Sequence, residues 1–225
     1  MSEIIKPVVR GRDISRYQAQ WPGLWLIATF PSLGLSIEDY SAVKHHLIRF
    51  GKARLEQAGK TLPDGTKSRK KTRHAWYELQ DTCAYHEDFT KEKLLWIELV
   101  NDGRFAYDNS GFYGEATTFL LTGESIKYLC AVLNSKLIRW FLEKVAPTSG
   151  MGTLRWKKVY VERLPIPRLS VRRQQSFAKL VDGILMLKGG QPDSDTSETE
   201  ARIDEKVYKL FGLTPSEISV VDQRP

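Results

Sequence analysis

Between Lys67 and Arg73 the sequence places five cations in seven residues: Lys67, Arg69, Lys70, Lys71 and Arg73. Charges this close repel one another unless solvent or a polyanion screens them. Phosphates are a natural screen, and binding through them releases counterions and depends steeply on salt. Arginine adds a second capability, because its guanidinium donates two parallel hydrogen bonds to guanine O6 and N7. Trp76 and Tyr77 follow at once and supply stacking or packing surface. The plain alternative is a solvated charged loop leading into a core strand, with Trp76 a core residue.

Two further groups of cations suit the same partner. Arg155, Lys157 and Lys158 surround Trp156 where the chain leaves the Ser149-Gly150-Met151-Gly152 run, whose glycines either let backbone approach DNA closely or merely permit a turn. Arg10, Arg12 and Arg16 lie near the N-terminus, where Arg12 and Asp13 either face DNA or pair with other side chains.

Composition points the same way. The chain has 225 residues, a net charge of +7 and an isoelectric point near 9.3, which suits a polyanionic partner. The excess is uneven. Up to residue 168 there are 26 lysines and arginines against 18 acids, and beyond it 8 against 9. Hydrophobic content of 41% supports a proper core, in one large domain or two small ones. No apolar run approaches the ~20 residues that cross a bilayer, and the first residues are not a signal peptide. Cys83 and Cys130 form no CxxC pair and are expected reduced, in a cytoplasmic protein.

Signals for catalysis are weak. Pro192-Asp193 followed by Asp204-Glu205-Lys206 matches the spacing of a metal nuclease, in which carboxylates hold Mg²⁺. Here the first Asp falls in a polar linker and the Lys in an amphipathic helix, whereas that chemistry needs a rigid sheet. His45 and His46 are adjacent and point to different helix faces, and His74 and His86 have no metal-ligand spacing. A GxSxG elbow does not occur, and Gly59-Lys60-Thr61 is not a GxxxxGK[ST] phosphate-binding loop, since Arg54 stands where the first glycine belongs.

The elements that must position the cations are legible in outline. Trp25 to Phe30 reads as a strand, and Ser36 to Gly59 as a helix capped by Ser36, with Ile37, Tyr40, Val43, Leu47 and Phe50 as its buried stripe. Lys60 to Lys71 is a polar loop around Pro63-Asp64-Gly65, expected to be mobile without DNA. Strands are expected around Trp76–Leu79, Leu94–Val100, Arg104–Tyr107 and Thr117–Thr122, with a tight turn at Asn101-Asp102-Gly103. A helical region from Ser125 to Val145, broken near Asn134, precedes a short strand through Val159, Val161 and Leu164 that Pro165 and Pro167 close. Beyond Pro167, Ser170 caps a helix that Gly189-Gly190 stops. Ser197 and Glu200 suit a capping box for the next, and Thr214-Pro215 starts a last short one.

The order of these segments resembles the TaqI-like C-terminal specificity family, the target recognition domains of adenine-specific DNA methyltransferases and fused restriction-modification enzymes. The resemblance lies in Lys6 to Tyr17 (KPVVRGRDISRY), Arg69 to Leu79 (RKKTRHAWYEL), Lys93 to Ile97, Arg104 to Tyr107, Leu133 to Pro167 and Ile203 to Thr214, and so covers nearly the whole chain. It implies an α+β fold: a mixed β-sheet recognition domain with flanking helices over 1–168, then a C-terminal helical hairpin over 169–225 with a linker near 189–199. It also implies a prokaryotic, DNA-binding module that reads a short duplex sequence. A separate methyltransferase domain would flip the adenine and hold S-adenosylmethionine. The Asn-Pro-Pro-Tyr type motif of such catalytic domains does not occur here, so the chain is expected to be catalytically inactive alone, with no cofactor or metal of its own. Two other readings stand beside this one: a protein-interaction module docking a partner through its C-terminal helices, and the metal nuclease.

Overall fold

The computed structural model describes residues 3–98, 103–146 and 156–223. It divides into two compact units, one formed by the chain up to Pro7 with Trp25–Glu87, the other by Val8–Leu24 with Asp88 onward.

In the first unit, the start of β1 (Ile5–Val9) pairs antiparallel with β3 (Trp25–Ile27), Ile5 facing Ile27. The helix α1 (Ser41–Leu55) is shorter than the sequence implies. Ile37–Asp39 form a separate 3-10 turn, and Tyr40, at φ −120° and ψ 58°, breaks the path between them. Gly51, at φ 122°, kinks α1, a conformation that costs glycine little and other residues much. Ile37, Leu47 and Leu55 are buried together, with Tyr40, Val43, Trp76 and Tyr77 packed against them. Phe50, assigned to the buried stripe, is 60% exposed because it lies beside the kink.

Trp76 to Leu79 is a turn and not the expected strand. Ala75 donates its N–H to the Glu78 carboxylate (2.7 Å) and Glu78 returns its own to the Ala75 carbonyl (3.0 Å), which closes the turn. Trp76 packs toward the core, with the Lys52 ammonium 5.3 Å from its ring centroid.

The second unit is built on a four-stranded sheet. β2 (Tyr17–Gln18) runs parallel to β5 (Ala106–Asp108); β4 (Lys93–Ile97) runs antiparallel to β5 on one side and to β7 (Thr118–Thr122) on the other. The end of β1 pairs in parallel with β6 (Tyr113–Gly114). Leu94, Leu95 and Trp96 of β4 are all buried, so the strand carries consecutive apolar residues instead of an alternating pattern, and Lys93 at its start is buried with them.

The helices of this unit cover the sheet. The expected break near Asn134 separates α2 (Ile126–Leu133) from α3 (Lys136–Val145), and Ser135 caps α3. The segment expected as a strand through Val159 is the short helix α4 (Lys158–Val161). Val161 and Leu164 are buried and Val159 is exposed, a helical spacing and not an alternating one. α5 (Val171–Gly190), α6 (Ser197–Phe211) and α7 (Pro215–Asp222) follow. Phe177, Val181, Ile184, Ile203 and Val207 join Leu94, Trp96, Phe105 and Trp156 in one buried cluster. The C-terminal helices therefore complete the core of the second unit. The observed start of α6 differs slightly from the capping box expected at Ser197: Thr196 is the cap residue, and its hydroxyl bonds the Glu200 carboxylate (2.6 Å). At α7 the Thr214–Glu217 capping box is complete, with Pro215 at the first helical position.

Both cysteines are free and buried. Burial pushes the Cys130 thiol up to about 12. Among the described residues no helix is long and apolar enough to cross a membrane.

Candidate nucleic-acid interface

The basic segment of the first unit is a hydrogen-bonded hairpin and not an open loop. Gly59 donates to the Arg69 carbonyl (2.9 Å), Ser68 to Lys60 (2.9 Å) and Leu62 to Thr66 (2.7 Å), and Thr61 bridges Lys67. The Asp64 carboxylate accepts from both the amide and hydroxyl of Thr66, which lowers its pKa and fixes the tip. At the base, Thr72 donates its N–H to the Gln57 carbonyl and its hydroxyl to the Gln57 amide oxygen. The Gln57 NH₂ in turn donates to Ala75 and Glu78.

This scaffold sorts the five cations. Lys67, Lys70, Lys71 and Arg73 are exposed. Arg69 turns inward, donates to the Glu78 carbonyl (2.7 Å), and has its pKa lowered by partial burial. It stays a cation, because guanidinium keeps its proton far above neutrality. Its bond to Glu78 ties the hairpin's second arm to the Ala75–Glu78 turn.

In the second unit the N-terminal arginines also part company. Arg10 closes a fork on Asp13, with its Nε at 2.9 Å and Nη2 at 3.0 Å from the two carboxylate oxygens, and its backbone N–H adds a third bond. That pairing raises the Arg10 pKa and holds the Asp13 carboxyl below its usual range, both chiefly through the side-chain hydrogen bond. Arg16 reaches Glu200 on α6 (2.8 Å) and the Asn134 carbonyl (2.6 Å), so it joins the sheet edge to the helices. Arg12 is exposed and lines a cleft of about 230 Å³ with Ser15, Gln20, Trp21 and Arg104. The Trp21 indole N–H donates to the Leu24 carbonyl (2.7 Å), which leaves its ring 40% exposed at the rim.

Arg104, Gln20 and Trp21 are the cleft residues that sequence reasoning passed over as contacts. Gln20 and Trp21 lie close to Arg12 in the chain, but Arg104 lies more than eighty positions away and joins them only through the fold. Their chemistry suits nucleic acid, since arginine and glutamine make paired hydrogen bonds to guanine and adenine edges and an indole stacks on bases or sugars.

Of the patch after the glycine run, Arg155 and Gly150-Met151-Gly152 lie outside the described residues. Lys157 is half-buried and pairs with Glu98 (3.4 Å), and Lys158 is exposed and pairs with Glu162 (3.4 Å). Trp156 is buried, donates its N–H to the Glu98 carbonyl (2.7 Å), and packs edge-on to Phe105. A Cβ at Gly103 would overlap its ring. The indole in this patch therefore belongs to the core.

The nuclease-like spacing is also resolved into structural contacts. Asp204 is buried and accepts the Lys136 N–H (2.9 Å) at the start of α3, while Lys206 donates to Ser176 on α5 (3.2 Å).

The TaqI-like C-terminal specificity domain matches residues 6–166, and the chain belongs to that family, the specificity part of restriction-modification and DNA methyltransferase systems. Its relatives include the Type II methyltransferase M.BstVI of Geobacillus stearothermophilus, 22% identical over 97% of this chain and 36% of that protein. Another is the Type II methyltransferase M.PaeR7I of Pseudomonas aeruginosa, 24% identical over 96% of this chain and 34% of that protein. The chain thus spans about a third of the length of these relatives. The fold is also that of part of MmeI, a Type IIL restriction-modification enzyme solved in complex with DNA. There the TM-score is 0.63 at 13% identity, over 96% of this chain and 29% of that one.

Proposed function

We propose that this chain recognises a short sequence in duplex DNA on behalf of an adenine-specific methyltransferase or restriction-modification enzyme, and has no catalytic residues of its own. The observation that carries this reading is the hairpin. A rigid, hydrogen-bonded scaffold holds Lys67, Lys70, Lys71 and Arg73 in solvent, and among the described residues none of the ion pairs engages them. Four exposed cations held apart from carboxylates are suited to phosphates. The Arg12–Arg104 cleft supplies the groups that suit base edges.

In this reading the transfer chemistry and S-adenosylmethionine belong to a methyltransferase catalytic part, in the same chain or another, working in the cytoplasm. This chain's residues hold the duplex and select the site, while that part extrudes the adenine.

The test is duplex binding by fluorescence anisotropy over a salt series, beside Lys67→Ala/Lys70→Ala/Lys71→Ala/Arg73→Ala. Wild-type binding should weaken steeply with salt, and the variant's slope should be shallower by roughly 3–4, about 0.9 for each phosphate that is no longer neutralised. Selection from a random duplex pool should return one short motif, and Arg104→Ala should relax it. No binding at low salt, or enrichment of no motif, would sink the proposal.

A further inference from the structure

A second group of cations lies outside the residues matched to the family, in the groove between α5 and α6. Arg173, Ser176 and Phe177 line one wall, and Lys206, Lys209 and Leu210 the other, around a volume of about 200 Å³. We propose that this groove is a further polyanion site, one that holds the phosphodiester backbone of the same duplex. The inference rests on the DNA-recognition reading and adds a contact surface to it.

Three observations carry it. First, the groove gathers three cations and no carboxylate, although residues 169–225 hold more acids than bases. The clustering therefore runs against local composition. Second, five of the nine acids of this segment are held by partners outside the groove. Asp182 meets Lys127, Glu200 meets Arg16, Asp222 meets Lys136 and Tyr208, Asp204 accepts from the Lys136 amide, and Glu217 caps α7. Third, the central cation is held in place. The Lys206 ammonium lies 5.4 Å from the centroid of the buried Phe177 ring and donates to the Ser176 hydroxyl, which itself donates to the Arg173 carbonyl.

The chemistry follows from these positions. An ammonium seated against a ring and a hydroxyl loses little freedom when an anion arrives, so less of the attraction is spent on ordering it. Arg173 and Lys209 are exposed on either side and can follow successive phosphates. Such contacts carry no base information, so they add affinity without altering the motif read.

The test uses the full chain in the same anisotropy salt series, with Arg173→Gln/Lys209→Gln beside Arg173→Gln/Lys206→Gln/Lys209→Gln. The double variant changes only exposed side chains and guards against misfolding of the triple, whose fold is checked by circular dichroism. The expected result is a shallower salt dependence, by roughly 2 for the double and 3 for the triple. Affinity should fall by a similar factor on cognate and scrambled duplexes, with the selected motif unchanged. If the hairpin variant loses binding but the double variant keeps wild-type affinity and slope, the groove inference is overturned and the recognition reading stands. If wild type binds no duplex at all, both fall.

Discussion

The Asn134 side-chain amide grips both backbone groups of Phe105. Its Oδ1 accepts the Phe105 N–H (3.1 Å) and its Nδ2 donates to the Phe105 carbonyl (2.8 Å) and to the Cys130 carbonyl (2.9 Å). The Phe105 carbonyl also accepts the N–H of Tyr17, a residue at φ 70°. One side chain at the joint of α2 and α3 thus fixes the backbone beside Arg104, on the cleft. Asn134→Ala would leave the buried Phe105 N–H without its acceptor. We expect a loss of about 2–3 kcal/mol in urea unfolding, with weaker duplex binding through a displaced Arg104. Unchanged stability would show that the grip is incidental.

Lys93 and Asp108 form an ion pair buried in the sheet, directly opposite in the β4–β5 register. Lys93 also donates to the Phe89 carbonyl (2.6 Å), and Asp108 accepts the N–H groups of Ser110 (2.8 Å) and Phe112 (3.0 Å). Lys93→Met strands a buried carboxylate, for which about 3–5 kcal/mol is the usual cost. Chemical denaturation should register it. Asp108→Asn should cost less than Asp108→Leu, because the amide oxygen still accepts from the turn.

Asp204 ties stability to pH in the direction opposite to most carboxylates. Burial raises its pKa to about 6, against the Lys136 N–H bond, which lowers it. The unfolded chain ionises this group near pH 4. Between the two values the folded state holds a proton that the unfolded state has released, so its contribution is complete below pH 4 and lost as pH rises through 6. A shift of this size corresponds to about 3 kcal/mol. Asp204→Asn removes it while keeping an acceptor for Lys136. The stability difference, variant minus wild type, should therefore increase from pH 4 to 7, and a flat difference would contradict this.

Arg69 and Lys70 are neighbours with opposite duties. Arg69→Ala should lower stability by about 1.5–3 kcal/mol, the range for a hydrogen bond to a charged group. Lys70→Ala should leave stability within about 0.5 kcal/mol, the ordinary range for a surface change, and reduce only the salt slope of DNA binding. Thermal unfolding and anisotropy together separate the two, and identical profiles would remove the distinction.

Much of this was legible in the residues. The helix break at Asn134, the α7 start at Thr214-Pro215 and the strand at Thr118–Thr122 all follow from caps, proline and local pattern. The ordered segments were enough to place the chain in its family. Local pattern failed where a long-range contact outweighed it. Val159 to Leu164 alternates in part like a strand, yet the buried Trp156 anchors the chain against Gly103 and Phe105 and the backbone turns helical. Trp76 to Leu79 has strand composition, yet the Glu78 carboxylate folds back on the Ala75 N–H.

By itself the sequence determined which side chains carry charge, how many stand together, and where helices start and break, because those depend on neighbours a few positions apart. Only the tertiary structure decided which cations face solvent. Arg69, Arg10 and Arg16 read like their neighbours in the sequence, but each finds a carbonyl or carboxylate and becomes part of the frame. It alone brought Arg104 beside Arg12, and Arg173 beside Lys206 and Lys209. The reason is physical: a charge belongs to the residue, whereas its partner is set by elements that meet only after the core has packed.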